Sequence, residues 1–275
     1  MRVHHLSCAS MCPYGQRWLS GEGSLLGKAE LVAHCLLIES GDGLVLVDTG
    51  FGTGDVADPK RLGQPFRALI RPRVEQHATA LAQITEKGFD PADVRHLVLT
   101  HLDVDHAGGL PDFPGAQVHV LAAEKEVMEN PPLRERGRYI RGHFAHGPRW
   151  ATHGAGGDSW FGFESVRAIP ELDGDLALVP LTGHTAGHTA VAVREGEGWL
   201  LHCGDAYFHH GEVVTPPTCP PGLRLFQNIV GHDNKARRSN QERLRELVRD
   251  HGDEVRPFCA HDPLELEQMQ QPPPG

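Results

Sequence analysis

Eight short apolar runs constrain this chain more than any other feature: Leu31 to Glu39, Leu44 to Asp48, Arg95 to Thr100, Gln117 to Leu121, Leu176 to Leu181, Ala190 to Arg194, Trp199 to Cys203 and Val255 to Cys259. Runs this short, rich in Val and Leu and closed by Gly, Asp or His, predict buried strands. Helical spacing lies between some of them. Val74 to Lys87 carries Val74, Ala78, Leu81 and Ile84 and stops at Gly88, and Ser239 to Asp250 turns Leu244, Leu247 and Val248 inward. Asp93 is expected to cap a turn before the strand at Arg95. Strands interleaved with helices specify a mixed α/β domain rather than an all-β barrel. The 275 residues suffice for one large domain with a full core, and no Pro/Gly/Ser linker divides their middle.

Composition narrows the function. The formal net charge is −10 and no basic run stands out, which argues against a nucleic-acid partner, since phosphates need a basic stripe. No stretch approaches the ~20 apolar residues of a membrane span, and the start, MRVHHLSCASMCPYG, has no apolar core of a signal peptide. Six cysteines in so long a chain do not form a disulfide framework, so a cytoplasmic protein with reduced thiols is expected. Residues 51–73 read as a long loop. Residues 129–175, with Pro131, Pro132 and the aromatics Phe144, Trp150, Trp160, Phe161 and Phe163, read as an ordered cap inserted into a single domain spanning 1–275. The tail QQPPPG reads as frayed.

Nineteen histidines are the anomaly, because histidine is the commonest metal ligand. The densest cluster is Thr-His-Leu-Asp-Val-Asp-His-Ala-Gly-Gly at residues 100–109, which places His101, Asp103, Asp105 and His106 within six residues directly after a strand. Carboxylates packed this closely are costly unless cations sit among them. Three later fragments repeat the arrangement: Thr-Gly-His-Thr-Ala-Gly-His at 182–188, His-Cys-Gly-Asp-Ala at 202–206 and Cys-Ala-His-Asp at 259–262. Each puts ligand-type side chains just past a strand, where α/β folds build their sites. Cys8 and Cys12 with His4 and His5 form a weaker metal candidate, and small, partly buried residues near the mouth of the site are the expected reading of the two cysteines. His143, His146 and His153, within the cap segment, are expected at the surface.

The order of these fragments resembles the metallo-β-lactamase superfamily, whose pattern is His-x-His-x-Asp-His, a distant His, a bridging Asp and a last His. Val-Asp-Thr-Gly at 47–50 resembles the family's early Asp-Thr-Gly turn, so the likeness runs from residue 47 to 262. It implies a four-layer αβ/βα sandwich with a dinuclear site at one edge. His101, Asp103 and His184 would hold one metal, Asp105, His106 and His261 the other, and Asp205 would bridge them. His188 would pack beneath the site and Asp48 would orient ligands. This chain departs from the pattern at Asp103, where the family usually has His; the related flavodiiron proteins carry an acidic residue there. The change brings the formal charge of a loaded site near zero and weakens zinc selectivity, so zinc is the first choice and iron or manganese the second.

The resemblance further implies a metal-dependent hydrolase in which a metal-bound hydroxide attacks a carbonyl carbon, with Asp105 both a ligand and a catalytic proton carrier. The Gly-His-Thr-x-Gly-His turn, the Gly-Asp-Ala-Tyr segment and the late His-Asp resemble the acyl-homoserine lactonase branch, which points to an ester, above all a lactone. That branch has a substrate-contacting Tyr three residues after the bridging Asp. Here Tyr207 stands at two and Phe208 at three, and Tyr207 is the catalytic candidate. Thioester, β-lactam and phosphodiester hydrolysis are the enzymatic alternatives, although Glu265 and Glu267 make the C-terminal stretch acidic where the glutathione site of a thioester hydrolase would be basic. A metal-stabilised binding or sensor protein is the non-enzymatic one. A small-molecule substrate is expected, and a homodimer is left open.

Overall fold

A computed structural model describes residues 1–154, 156–172 and 174–271; the end of the tail lies outside them. Among the described residues, thirteen strands fall into two sheets. The first joins β1 (Arg2–Met11), β2 (Leu31–Ser40), β3 (Gly43–Val47), β4 (Pro72–Arg73), β5 (Val94–Val98), β6 (Gln117–Leu121) and β7 (Arg149–His153) in the order β4-β1-β2-β3-β5-β6-β7. The second joins β8 (Asp158–Trp160), β9 (Phe163–Ala168), β10 (Leu176–Pro180), β11 (Thr189–Glu195), β12 (Gly198–His202) and β13 (Val255–Phe258) in the order β13-β12-β11-β10-β9-β8. All eight expected strands are present.

The layers follow from side-chain alternation. Leu36, Ile38, Val45, Val47 and Val98 of the first sheet meet Leu176, Leu178, Val191, Val193, Leu200 and Phe258 of the second in one cluster between the sheets. The alternate residues face outward. Leu37, Leu46, Leu97 and Val118 pack under Ala80 and Ile84 of the helix Ala80–Glu86. Val179, Ala190, Ala192 and Leu201 pack under Leu244 and Leu247 of the helix Asn234–His251. With both faces covered, the strands need apolar residues at nearly every position, and helix, sheet, sheet and helix make the four-layer αβ/βα sandwich.

Some elements differ from expectation. The helix expected from Val74 begins at Ala80, where the Thr79 hydroxyl accepts from Ala82 N. Asp90 rather than Asp93 caps the turn before β5: its carboxylate accepts from Ala92 N, and Asp93 closes that turn. Residues 51–73 are not a loop. They hold helices Thr53–Ala57 and Gln64–Ile70, the latter with a proline in its first turn, where the missing N–H costs nothing. The segment 129–175 supplies β7 to the first sheet and β8 and β9 to the second. Phe144 and Trp150 pack on the first sheet's outer cluster, and Trp160, Phe161 and Phe163 on the second's. No helix among the described residues is long and apolar enough to cross a membrane.

Candidate metal centre

Strands β3 and β5 run parallel, as do β12 and β13. The segments that leave β5, β10, β12 and β13 at their C-terminal ends carry His101 to His106, His184, Asp205 and His261 respectively. Each backbone turns where the sheet stops, so donors from both sheets converge at one edge. At Gly204 the turn requires φ +50°, and a Cβ there would stand 2.7 Å from His188 Nε2, which admits glycine alone.

Two groups of donors result. His101, His184 and Asp205 form one, and Asp105, His106 and His261 the other. Asp205 stands between them. Its Oδ2 lies 3.3 Å from His184 Nε2 and 3.8 Å from His101 Nε2. Its Oδ1 lies 3.0 Å from His261 Nε2 and 3.2 Å from His106 Nε2. Asp105 Oδ2 is 3.6 Å from His261 Nε2 and 3.9 Å from His106 Nε2. Asp103 Oδ2 is 3.0 Å from His184 Nε2 and 3.7 Å from His101 Nε2. The donors fit divalent cations by a direct test: His101 Nε2, Asp103 Oδ1 and Asp205 Oδ1 are buried without any hydrogen-bond partner, an arrangement that is costly unless a cation satisfies it.

Surrounding residues aim these donors. The His106 ring bonds through Nδ1 to Asp48 Oδ2 at 2.8 Å, and the His261 ring through Nδ1 to the Val32 carbonyl at 2.6 Å. Both Nε2 atoms are thereby left to face the site. Asp48 also accepts from Thr100 N and Oγ1 at 2.8 and 2.7 Å, and does so from the left-handed region, at φ 54°. Burial opposes its charge most strongly, but His106, His202 and His101 together overcome it and hold the carboxyl at about 2. Asp205 is likewise held well below the usual range: burial resists ionisation, and His261, His106 and His184 overcome it. His188 lies beneath, as expected, with Nε2 accepting from Asp205 N at 2.9 Å.

Two residues escape sequence reasoning. Glu124 is fully buried and accepts from Leu102 N, Thr185 Oγ1 and Gly187 N at 3.1, 2.6 and 3.0 Å. One carboxylate thus ties the ligand loop after β5 to the turn after β10. Arg138 donates to Asp103 Oδ2. Neither belongs to a motif, and each finds its partners far away in sequence.

A cavity of about 390 Å³ opens onto both groups. Its apolar wall includes Met11, Leu31, Phe66, Ile70, Phe208 and Phe226, and Asp103, Asp105 and Arg138 border its polar end. The five aromatics of 129–175 are absent from this wall, because they are pinned to the outer faces of the sheets.

Tyr207 requires a correction. It is fully buried in the second sheet's outer cluster and its hydroxyl donates to Glu265 Oε1 at 3.0 Å, away from the cavity. Phe208 occupies the wall instead, stacked on His261 at 4.9 Å. Cys8 and Cys12 do not join His4 and His5 in a cluster: His4 pairs with Glu39 and His5 with His34, and all six cysteines are free. His143 is buried against Asp55 rather than exposed.

Two back-to-back sheets that gather His and Asp donors at their strand ends define a metal-dependent hydrolase. The model of the metallo-beta-lactamase superfamily matches residues 29–250, and the chain belongs to that superfamily. A probable metallo-hydrolase of Mycobacterium tuberculosis is 44% identical over 264 residues, 96% of this chain and 81% of that protein. The N-acyl homoserine lactonase AttM of Azorhizobium caulinodans is 30% identical over 192 residues, 68% of this chain and 70% of the other. Among solved structures, an N-acyl homoserine lactone hydrolase with N-hexanoyl-L-homoserine at its catalytic metal center matches with a TM-score of 0.72, covering 97% of this chain and 95% of that one. At 19% identity, that likeness is one of fold.

Proposed function

We propose that this protein hydrolyses a lactone or another ester of a neutral, apolar acyl compound, with N-acyl homoserine lactones as the class to test. Two zinc ions would be held by seven donors: His101, Asp103 and His184 at a first position, Asp105, His106 and His261 at a second, and Asp205 at both. The observation that carries this reading is the division of Asp205, whose Oδ2 faces one group and Oδ1 the other at the end of an apolar cavity. Four imidazoles favour zinc, while Asp103 moves the preference toward iron or manganese. Ions bound there would acidify a shared water and polarise a carbonyl.

The chain supplies the rest. Asp48 and the Val32 carbonyl hold two imidazole rings in place, and Glu124 fixes the two loops that carry the first-position donors. Asp105 borders the cavity and accepts no hydrogen bond among the described residues, which makes it the group to carry a proton to the departing oxygen. The apolar wall takes the acyl chain and excludes water. Residues 1–275 are read as one domain in which 129–175 is an insertion that extends both sheets, and the free thiols suit the cytoplasm.

Zinc-loaded protein assayed on matched lactones, open-chain esters and thioesters tests the reading. Lactones should give the highest kcat/KM, and a chelator should abolish turnover. Faster turnover of the thioester would move the protein to thioester hydrolysis. No turnover of any by fully loaded protein would leave a metal-stabilised binding protein.

A further inference from the structure

Arg138 follows the short turn Leu133–Glu135, and its side chain is 12% exposed. Its guanidinium has four partners. Nη1 donates to Asp103 Oδ2 and stands 3.2 Å from His184 Nε2. Nη2 donates to the Val230 carbonyl and lies 3.4 Å from the His184 carbonyl. Asp103 Oδ2 and His184 Nε2 are two donors of the proposed first position. At the second position no Lys or Arg intrudes among the described residues: the Nε2 atoms of His106 and His261 lie beside Asp105 Oδ2 and Asp205 Oδ1.

We infer that Arg138 competes with the first metal ion for Asp103 and His184, and so makes the two metal positions unequal in affinity. The inference rests on the two-metal reading. His184 Nε2 has a single lone pair, so an ion entering the first position must take it in place of Arg138, whereas Asp103 can meet the ion through Oδ1, which has no hydrogen-bond partner. The guanidinium also stands beside the incoming cation as a like charge and, where the ion takes Asp103 Oδ2, gives up a charge-assisted pair. The second position fills first, and the first fills only after Arg138 has moved aside. The same pairing gives Asp103 a physical reason to be acidic. A histidine there would remove the carboxylate that pairs directly with the buried guanidinium and leave only Glu124 and Glu135 to balance its charge among the described residues.

Metal-free protein titrated with zinc against a competing chromophoric chelator tests the inference without any substrate. Wild type should bind two ions in separate steps, the weaker by about tenfold or more, which is about 1.4 kcal/mol. Arg138→Met should tighten the weaker step by about that factor and leave the stronger one in place. Asp105→Asn should remove the stronger step, which assigns that step to the second position. Should Arg138→Met lose both steps through misfolding, Arg138→Gln, neutral but still able to donate to the Val230 carbonyl, decides by the same readout. Two equally tight ions in wild type, or an unchanged weak step in the neutral variant, would overturn the role of Arg138 and leave the two-metal reading standing. A second ion bound by neither wild type nor neutral variant would remove the two-metal reading itself, and the inference with it.

Discussion

Tyr207 and Phe208 are neighbours with opposite fates, and Glu265 explains why. Its carboxylate accepts from the Tyr207 hydroxyl at 3.0 Å and from Cys259 N at 2.7 Å, so it holds the segment after β12 to the segment after β13. Tyr207→Phe should therefore leave kcat/KM within about twofold and cost about 1 kcal/mol of stability, the worth of one buried hydrogen bond. Phe208→Ala, which opens the cavity wall, should lower kcat/KM more than tenfold by the loss of roughly 1.5–3 kcal/mol of apolar contact. Equal losses from both would restore Tyr207 to the reaction. Glu265 also makes stability depend on pH. Burial is the chief cause that raises its carboxyl from 4.5 to about 7, against the pull of the hydrogen bonds from Cys259 and Tyr207. An acid raised on folding gives stability that is complete below its unfolded pKa and lost as pH rises through its folded one. Between pH 4.5 and about 7 the native state holds the proton longer than the unfolded chain. Glu265→Gln should cancel this fall, so that the variant gains on wild type by on the order of 2–3 kcal/mol between pH 5 and 8 in denaturant titrations. A difference that does not change with pH would show that Glu265 titrates normally.

Among elements, two helices supply much of the apolar wall of the cavity, while the 129–175 segment lines it with Arg134, Glu135, Gly137 and Arg138. Phe66 and Ile70 come from Gln64–Ile70, and Phe226 from Pro221–Val230. If they hold an acyl chain, each added methylene should raise kcat/KM by about three- to fourfold until the cavity is full, from about 0.8 kcal/mol apiece. Phe226→Ala should flatten that dependence. Trp150→Ala and Trp160→Ala should lower Tm and leave it intact, since both rings pack on outer clusters. Kinetics on lactones differing only in acyl length, read beside thermal melts, decide this, and tryptophan variants that alter the dependence would return the acyl site to the aromatics of 129–175. The reason these helices escaped the sequence is physical. Pro65 and Pro221 look like breakers, yet each sits in a helical first turn, where proline is at home. β1 was hidden for the opposite reason: in RVHHLSCASM the polar residues interrupt the apolar pattern, and His4 and His5 are satisfied by Glu39 and His34 on the neighbouring strand. The strands buried on both faces were legible because such burial demands uninterrupted apolar residues. The donors were legible because several crowd into one short segment and the others end strands. Arg138 and Glu124 were not, because a single charged residue carries no period and their partners appear only after folding.

At the scale of the whole molecule, the site joins the two sheets. His101 to His106 leave the first sheet, His184, Asp205 and His261 leave the second, and the Asp205 oxygens face donors from both. Asp48, Asp103, Asp105 and Asp205 lie at this seam in a chain of formal charge −10, with Arg138 beside one of them. Metal binding should therefore act as folding free energy shared between the sheets. An ion that binds only the native state at a hundred times its Kd adds about 2.7 kcal/mol, and two such sites should raise Tm by roughly 10–20 °C in a chain of this size. Asp205→Ala removes a donor from both positions, so it should lower occupancy at both and lose most of that rise. Without metal the variant should melt no lower than wild type, because it also removes one buried carboxylate from a crowded cluster. The measurement is elemental analysis together with thermal melts of wild type and Asp205→Ala, each with saturating zinc and with chelator. A variant that keeps one ion at full occupancy would show that Asp205 serves a single position. A wild-type Tm indifferent to chelator would show that the two sheets hold together through their shared apolar cluster alone.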